Sequence, residues 1–548
     1  MTKNSLIWAV FTWEEFLVGD VLFTGGKIAT LDSNGTIAEA LVARDERILA
    51  VGSAHELELQ FGRHGVKRVD LGGKTVVPGW IDSHAHLIGY GMKLLRLSLE
   101  DVTDRAELIR RLKEKVAHTP PGEWIVGMGW DDNHLSGGDM LNRFDLDALS
   151  QVHPIVLIRV CTHVVVVNSL ALKMAGMDRL RADPPGGKIL RTEGGEPNGF
   201  LLEKAAEMMK RHVPEMTKHQ LEKATQLAIL EAHKLGLTSV HTEDIRYAGG
   251  VDQTWSIYRR LIGPSAYRLR CHLLIHHDGL NELCKRNWST GYGDDWIKVG
   301  AMKIFADGSL GGRGAWLSEP YADAPDQTGV RVHCHGVMLE LIQKARRQGL
   351  AVAVHAIGDA ALEQILSALE RVPSLSFPDR LIHVQVIRPD LVTRMKKSHV
   401  VADIQPRFVV SDLPWVKERL GDSRLKWSYA WKTLMDAGIP LAGGSDAPVE
   451  PLNPLLGVHA AETRRAPGVE HEGFFKEQRL SRMEAIHLYT RGGAYASGEL
   501  DVKGTLEPGK LADFVVLSHD IVDEPDPDVL LDAKTEMTVV GGEIVYSW

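Results

Sequence analysis

The chain has 548 residues, 44% of them hydrophobic, a formal charge of −9 and a pI of about 6.3. That length is ample for a large core with attachments, and the mild acidity without a long basic run argues against a nucleic-acid partner. Cys161, Cys271, Cys284 and Cys334 are scattered with no Cys-x-x-Cys, which argues against a disulfide scaffold or a thiolate zinc site and fits a reducing cytoplasm.

Residues 5–18 are partly apolar, but Glu14 and Glu15 interrupt them and no small-residue cleavage site follows. Residues 1–19 therefore read as an N-terminal extension. No other stretch approaches the roughly 20 apolar residues of a spanning helix, so no membrane partner is expected. Residues 20–75 read as short strands at 20–23, 26–30, 38–42, 47–51 and 67–71, punctuated by Gly25-Gly26, Asn34-Gly35 and Gly72-Gly73. The far end repeats the pattern at 513–517, 537–540 and 543–546. Each set alone would leave an apolar face bare. Residues 20–75 and 500–548 therefore predict one small composite β-sandwich built from both chain ends.

Residues 76–499 alternate strand and helix. Strand patterns fall at 76–82, 237–241, 268–275, 297–305, 351–355, 381–386, 400–404 and 440–443, with amphipathic helices at 337–347, 360–371 and 389–397 among others. Eight strands with crossover helices predict an α/β fold, a (β/α)8 barrel of the TIM type. The gap after the first strand is too long for a loop. It carries strand patterns at 124–128 and 155–160 and a helix at 201–210, so residues 98–225 predict an inserted α/β subdomain.

The ends of these strands carry an unusual polar set. The first runs into His84 and His86, which lie two apart on one face and can grip a single ion. The second ends in His241, with Glu243 and Asp244 just beyond. The fourth carries Lys303, the fifth ends in His355, the sixth holds His383, and the eighth leads into Asp446. Each has an ordinary explanation alone: a core histidine, a capping aspartate, an edge lysine. Together they gather where barrel enzymes place their chemistry. Lys303 sits in an apolar strand, where a charge is costly unless neutralised. Its free amine could capture carbon dioxide as a carbamate, an anionic oxygen ligand able to bridge two metals.

These stretches resemble the amidohydrolase superfamily, and within it the YtcJ-like branch of metal-dependent hydrolases (amidohydrolase family 3). The matching segments are PGWIDSHAHL from Pro78, KIFADGSLGGRGA from Lys303, VAVHAIGDAA from Val352, RLIHVQV from Arg380 and GGSDAPVEPLNPL from Gly443. THVVVVNSLAL from Thr162, GGEPNGFLLEKA from Gly194 and GTLEPGKLADFVVL from Gly504 match as well, so the resemblance spans about residues 20–548. It implies a metal site of His84, His86, Lys303, His355, His383 and Asp446, two divalent ions with zinc foremost, and a metal-bound hydroxide mechanism. On this reading His84, His86 and Asp446 hold one ion, His355 and His383 the other, and carbamylated Lys303 bridges them. A bound divalent ion lowers the pKa of water from 15.7 to about 7. Asp446 would pass the proton to a leaving nitrogen.

His163 and His241 are candidates to meet a developing oxyanion. Thr162 stands where relatives usually have Gly, beside His163. Asp307 is a candidate to fix the loop or a metal-bound water, Asp359 to begin a helix, and Arg313 to bind an acidic substrate group or a surface carboxylate. Trp130, Trp316 and Phe408 are candidate pocket walls or core. Gly308, Gly311, Gly312 and Gly314 mark a loop that could gate the site.

The expected reaction is hydrolysis of a carbon–nitrogen bond in a small amide, carbamate or N-formyl compound. Two alternatives stay open: a mononuclear deaminase of the same fold, and a non-catalytic binding or regulatory relative. A homodimer is a family-level expectation. The sequence lacks a phosphate-binding P-loop, a dinucleotide fingerprint in strand–turn–helix context and a Gly-x-Ser-x-Gly elbow.

Overall fold

A computed structural model describes residues 19–62, 66–130, 136, 141–159, 163–179, 182–469 and 471–548. The expectations for residues 1–18, Cys161 and Thr162 lie outside the described residues. The chain divides into two compact units, Met1–Leu87 with Ile229–Trp548, and Ile88–Ala228.

The first unit holds eight parallel strands in a nearly closed barrel. They are β1 (Trp80–Ala85), β2 (Leu237–Thr242), β3 (Arg270–His276), β4 (Ile297–Phe305), β5 (Ala351–Ala356), β6 (Asp379–His383), β7 (Val400–Ile404) and β8 (Leu441–Gly443). Each pairs with the next in a parallel ladder. Their residues are buried on both faces almost throughout, which is why they read as continuous apolar runs. The helices between them follow the 3.6-residue period. His335–Arg347 buries Met338, Ile342 and Ala345, and Pro389–Lys397 opens with proline in its first turn and buries Leu391 and Met395.

The two chain ends share a single eight-stranded sheet. Thr75–Pro78 pairs with Phe514–Leu517, so an N-terminal strand is zipped to a C-terminal one. Phe23 and Phe514 meet edge-on at 4.8 Å, over a core that includes Ile28, Leu41, Val76 and Val516. The buried pair Arg270–Asp513 ties this sheet to β3: Nε and Nη2 donate to the two carboxylate oxygens at 2.6 and 3.0 Å.

Three expectations change. The run 76–82 is not one strand: it breaks at Gly79 into Thr75–Pro78 of the terminal sheet and Trp80–Ala85 of the barrel. The Gly79 amide donates to Asp513 O at 3.0 Å, and a Cβ there would stand 2.3 Å from both Cγ2 and Oγ1 of Thr238. The chain crosses between sheets where no side chain fits. The segments 20–23 and 26–30 merge into one strand, Val21–Ala29, bulged between Thr24 and Ile28. The helix expected at 201–210 starts at Lys204, because Pro197–Glu203 is a strand.

The second unit carries a six-stranded sheet in the order Gly187–Arg191, Pro197–Glu203, Val164–Val167, Ile155–Arg159, Ile125–Trp130, Leu97–Ser98. Trp130 lies in its core. Among the described residues, no helix is long and apolar enough to cross a membrane.

Two predictions follow from this packing. Gly79→Val should destabilise the protein by ~1–3 kcal/mol through overpacking against Thr238, read as a fall in Tm. The second concerns acid. His233 is buried with Nε2 2.9 Å from Arg268 O, and burial lowers its pKa from 6.5 to about 4. His272, with no hydrogen-bond partner among the described residues, is lowered to about 3, again by burial. The unfolded chain takes up these protons first as pH falls. Stability that is full above pH 6.5 is therefore lost as the pH drops toward 4. Thermal melts across that range should show the decline, with a shallower slope in His233→Gln.

Candidate metal centre

The C-terminal ends of the barrel strands open into a cavity of about 490 Å3. His84, His86, Lys303, His355, His383 and Asp446 all line it. Six side chains spread over some 360 positions of sequence thus reach one space, because the strand ladders put their ends side by side. The ladders pair Phe305 with His355 and Ala356 with His383, which places neighbouring ligands on adjoining strands.

The distances are those of a ligand shell. Asp446 Oδ1 stands 3.4 Å from His84 Nε2 and 3.3 Å from His86 Nε2. Lys303 Nζ lies 3.0 Å from His84 Nε2. Two ligands each about 2 Å from a tetrahedral ion are about 3.3 Å apart, so the two Asp446 spacings match the edges of such a shell. Ligand atoms of His84, His383 and Asp446 all fall within 4.8 Å of one another. The His355 and His383 rings meet at 4.4 Å. Buried His355 Nε2 has no hydrogen-bond partner among the described residues, which suits a metal ligand.

The electrostatics hold most of these imidazoles neutral. Burial lowers the pKa of His84 and His355 well below 6.5, and that of His383 to about 4, so these rings present neutral lone pairs. Burial would lower His86 too, but the Asp446 and Glu243 carboxylates raise it to about 9. Burial would raise Asp446, yet His86, His383 and Lys303 hold it below the ordinary carboxylate value. Burial brings Lys303 down to about 8.

Partners behind the ring orient it. His86 Nδ1 lies 2.6 Å from Glu243 O, and His383 Nδ1 lies 2.7 Å from Gln405 Oε1. Phe408 stacks on His383, nearly parallel, at 5.9 Å. His383, Val384 and Asp446 have φ of 78°, 48° and 56°, left-handed values that non-glycine residues rarely adopt. This is why β6 ends at His383 and not at the expected residue 386.

The remaining candidates separate. His241 is buried below the cavity rim and is not among its lining residues; its Nδ1 accepts from Arg380 Nη1 at 3.1 Å. His163 lies in the second unit, exposed, 3.1 Å from a Glu203 carboxylate oxygen. Asp307 accepts from the amides of Trp316, Ile357 and Gly358 and so fixes the loop after β4. Asp359 is the first residue of helix Asp359–Leu369. Arg313 pairs with Asp323 at 2.8 Å. Ser309, Leu310 and Gly311 of the glycine-rich loop line the cavity, as does Phe408, whereas Trp316 does not. Tyr247, Gln385, Asp412 and Trp415 also line it and were not singled out in the sequence. The two positions after the β2 end, Glu243 and Asp244, were the only signal near Tyr247.

A family model described as the amidohydrolase family matches residues 67–546. The chain belongs to the amidohydrolase family. It is 40% identical to YtcJ of Bacillus subtilis (strain 168), over 96% of this chain and 99% of that one. It is 24% identical to the N-substituted formamide deformylase of Arthrobacter pascens, covering 92% and 94%. A solved structure of an uncharacterised metal-dependent hydrolase from Pyrococcus furiosus superposes with a TM-score of 0.76 at 30% identity, over 92% of this chain and all of that one. Membership in this family implies a metal-dependent hydrolase with a divalent ion and a small-molecule substrate.

In this amidohydrolase, ligand orientation should be sensitive to the groups behind the ligands. Gln405→Leu removes the partner of His383 Nδ1 and should weaken metal binding about 10–100-fold. Competition against a chelator measures this, with the melting temperature of metal-depleted protein as the check on folding.

Proposed function

We propose that the chain hydrolyses a carbon–nitrogen bond in a small amide, carbamate or N-formyl compound. The observation that carries this reading is the convergence of Asp446 on His84 and His86, beside Lys303. His84, His86 and Asp446 would hold one ion and His355 and His383 a second, both zinc, with Lys303 between them as its carbamate. Such ions supply an acidified water and polarise a carbonyl.

The side chains do the rest. Asp446, held ionised by its cationic and imidazole neighbours, takes the proton of the attacking water and delivers it to the leaving nitrogen. His383 and His86 keep fixed orientations through Gln405 and the Glu243 carbonyl. The aromatic faces of Phe408, Trp415 and Tyr247 line a space sized for a small ligand. His241 stays a proposed oxyanion donor: its Nδ1 accepts from Arg380, and its Nε2 has no hydrogen-bond partner among the described residues. The formamide deformylase among the relatives makes N-formyl compounds the first substrates to try. The same reading treats residues 20–75 with 500–548 as a composite sandwich, 98–225 as an inserted subdomain, and the protein as a cytoplasmic homodimer.

The test is a screen of N-formyl, amide and carbamate substrates with zinc-loaded protein. Asp446→Asn should lower kcat by at least about 100-fold, and chelation should abolish turnover. Turnover that survives either change sinks the reading. Intact mass under gentle ionisation should show one added carbon dioxide, absent in Lys303→Arg.

A further inference from the structure

A second cluster of metal-ligating side chains stands at the end of β3. His276 closes that strand, and His277 and Asp278 follow in a 3-10 turn, His277–Gly279. Consecutive side chains on a strand point to opposite faces. Here the strand stops, and the turn brings both rings to one side, with centroids 4.2 Å apart. Asp278 folds back over them: its carboxylate oxygens lie 3.0 Å from His276 Nδ1 and 3.6 Å from His277 Nε2. One ligand atom from each of these three residues falls within 4.8 Å of the others.

A further imidazole stands on the segment leading into helix His335–Arg347, outside the trio whose ligand atoms share the 4.8 Å spacing. The His333 ring stands edge-on to that of His277, centroids 5.2 Å apart. His277 Nδ1 and His333 Nε2 are both buried without a hydrogen-bond partner among the described residues. Leaving a buried polar atom unpaired is costly, so two such atoms in one cluster point to a ligand. Burial lowers His276 to about 4 and holds His277 and His333 below 6.5, so all three rings are neutral donors at neutral pH. Arg246 adds unfavourable positive charge to the two adjacent histidines, and Asp278 opposes it.

We propose that His276, His277, Asp278 and His333 form a separate transition-metal site, a set of three imidazoles and one carboxylate suited to zinc. With the His333 ring turned onto the ion, four protein donors complete a tetrahedral shell, so the proposed ion is structural and not catalytic. It clips the end of β3 to the segment entering helix His335–Arg347. The site shares no ligand with the candidate centre. Phe305 divides the two, its ring 5.7 Å from His276 on one side and 5.1 Å from His355 on the other.

The experiment counts zinc and probes geometry in the full chain. A His84→Ala/His86→Ala variant cripples the candidate centre and keeps this cluster. It should retain one ion and, loaded with cobalt, show the intense visible absorption of four-coordinate Co(II). Adding His277→Ala and His333→Ala should erase that band, and those two changes alone should lower zinc in otherwise unaltered protein by one per chain. Asp278→Asn, at a solvent-exposed position, should weaken this site about tenfold or more. Absence of the cobalt band in the His84/His86 variant, or equal zinc content and affinity in protein with and without the His277 and His333 changes, overturns the proposal. Neither result depends on turnover, so failure of the catalytic reading leaves a distinct signature.

Discussion

A buried guanidinium forms the floor beneath the candidate metal ring. Arg380 of β6 pairs with Asp403 of β7, donates to the Ser83 carbonyl on β1 and donates to His241 on β2. Arginine has only donors, so His241 must offer Nδ1 as an acceptor and carry its proton on Nε2. Ser83 Oγ donates back to Asp403 at 2.5 Å, which closes the network. A buried pair of this kind adds little net stability by forming, yet losing one partner costs ~3–5 kcal/mol. Its larger effect is on position. Ser83 precedes His84, Arg380 precedes His383 by three, Asp403 precedes Gln405 by two, and His241 precedes Glu243 by two. Four strands are locked at one level, and the candidate metal ligands and the groups that orient them project from the next.

The level above is strained. His383, Val384 and Asp446 sit at positive φ, each at a cost of about 1–3 kcal/mol. Backbone bonds hold them there: Val384 N donates to Ala356 O at 3.0 Å, Val386 N to Ile357 O at 2.9 Å and Asp446 N to His84 O at 2.7 Å. Gly444 permits the last of these, since a Cβ on it would lie 2.6 Å from the His84 amide nitrogen. The rigid floor below and these clamps above together aim two ligands that an ordinary strand end would point elsewhere. Preorganisation of this sort is what a metal shell requires of its scaffold.

The barrel was legible because each strand is short, apolar and ended by a polar residue. The convergence of the candidate ligands on one cavity was legible for the same reason: a histidine, lysine or aspartate at the end of a buried run breaks the pattern. Gly79 was not, because a continuous apolar run looks identical whether it stays in one sheet or passes between two. His241 also stands at a strand end, but the cross-barrel reach of Arg380 to its Nδ1 is visible only in three dimensions. Tyr247, Gln385, Asp412 and Trp415 lie beyond strand ends, where neither period nor position marks an inward side chain. The His276-His277-Asp278 run passed unremarked since neighbouring residues on a strand should diverge, and the turn that brings them together is visible only in three dimensions.

Lys303 is where charge balance constrains the chemistry most tightly. Its Nζ lies 3.0 Å from His84 Nε2, so an ion bound by His84 would sit within a few ångströms of an ammonium. A divalent ion about 3 Å from a unit positive charge is repelled by on the order of 10 kcal/mol even at an effective dielectric constant near 20. Burial has already brought the lysine down to about 8, partly opposed by Asp446, Glu243 and Asp403. Removing a proton from such a group at pH 7 costs only about 1.4 kcal/mol. The ammonium and the metal therefore exclude one another, and the cheaper outcome is a neutral amine. On the proposed reading, this neutral, buried amine is the nucleophile for carbon dioxide, and its carbamate, formed with loss of a proton, would return negative charge beside a bound metal.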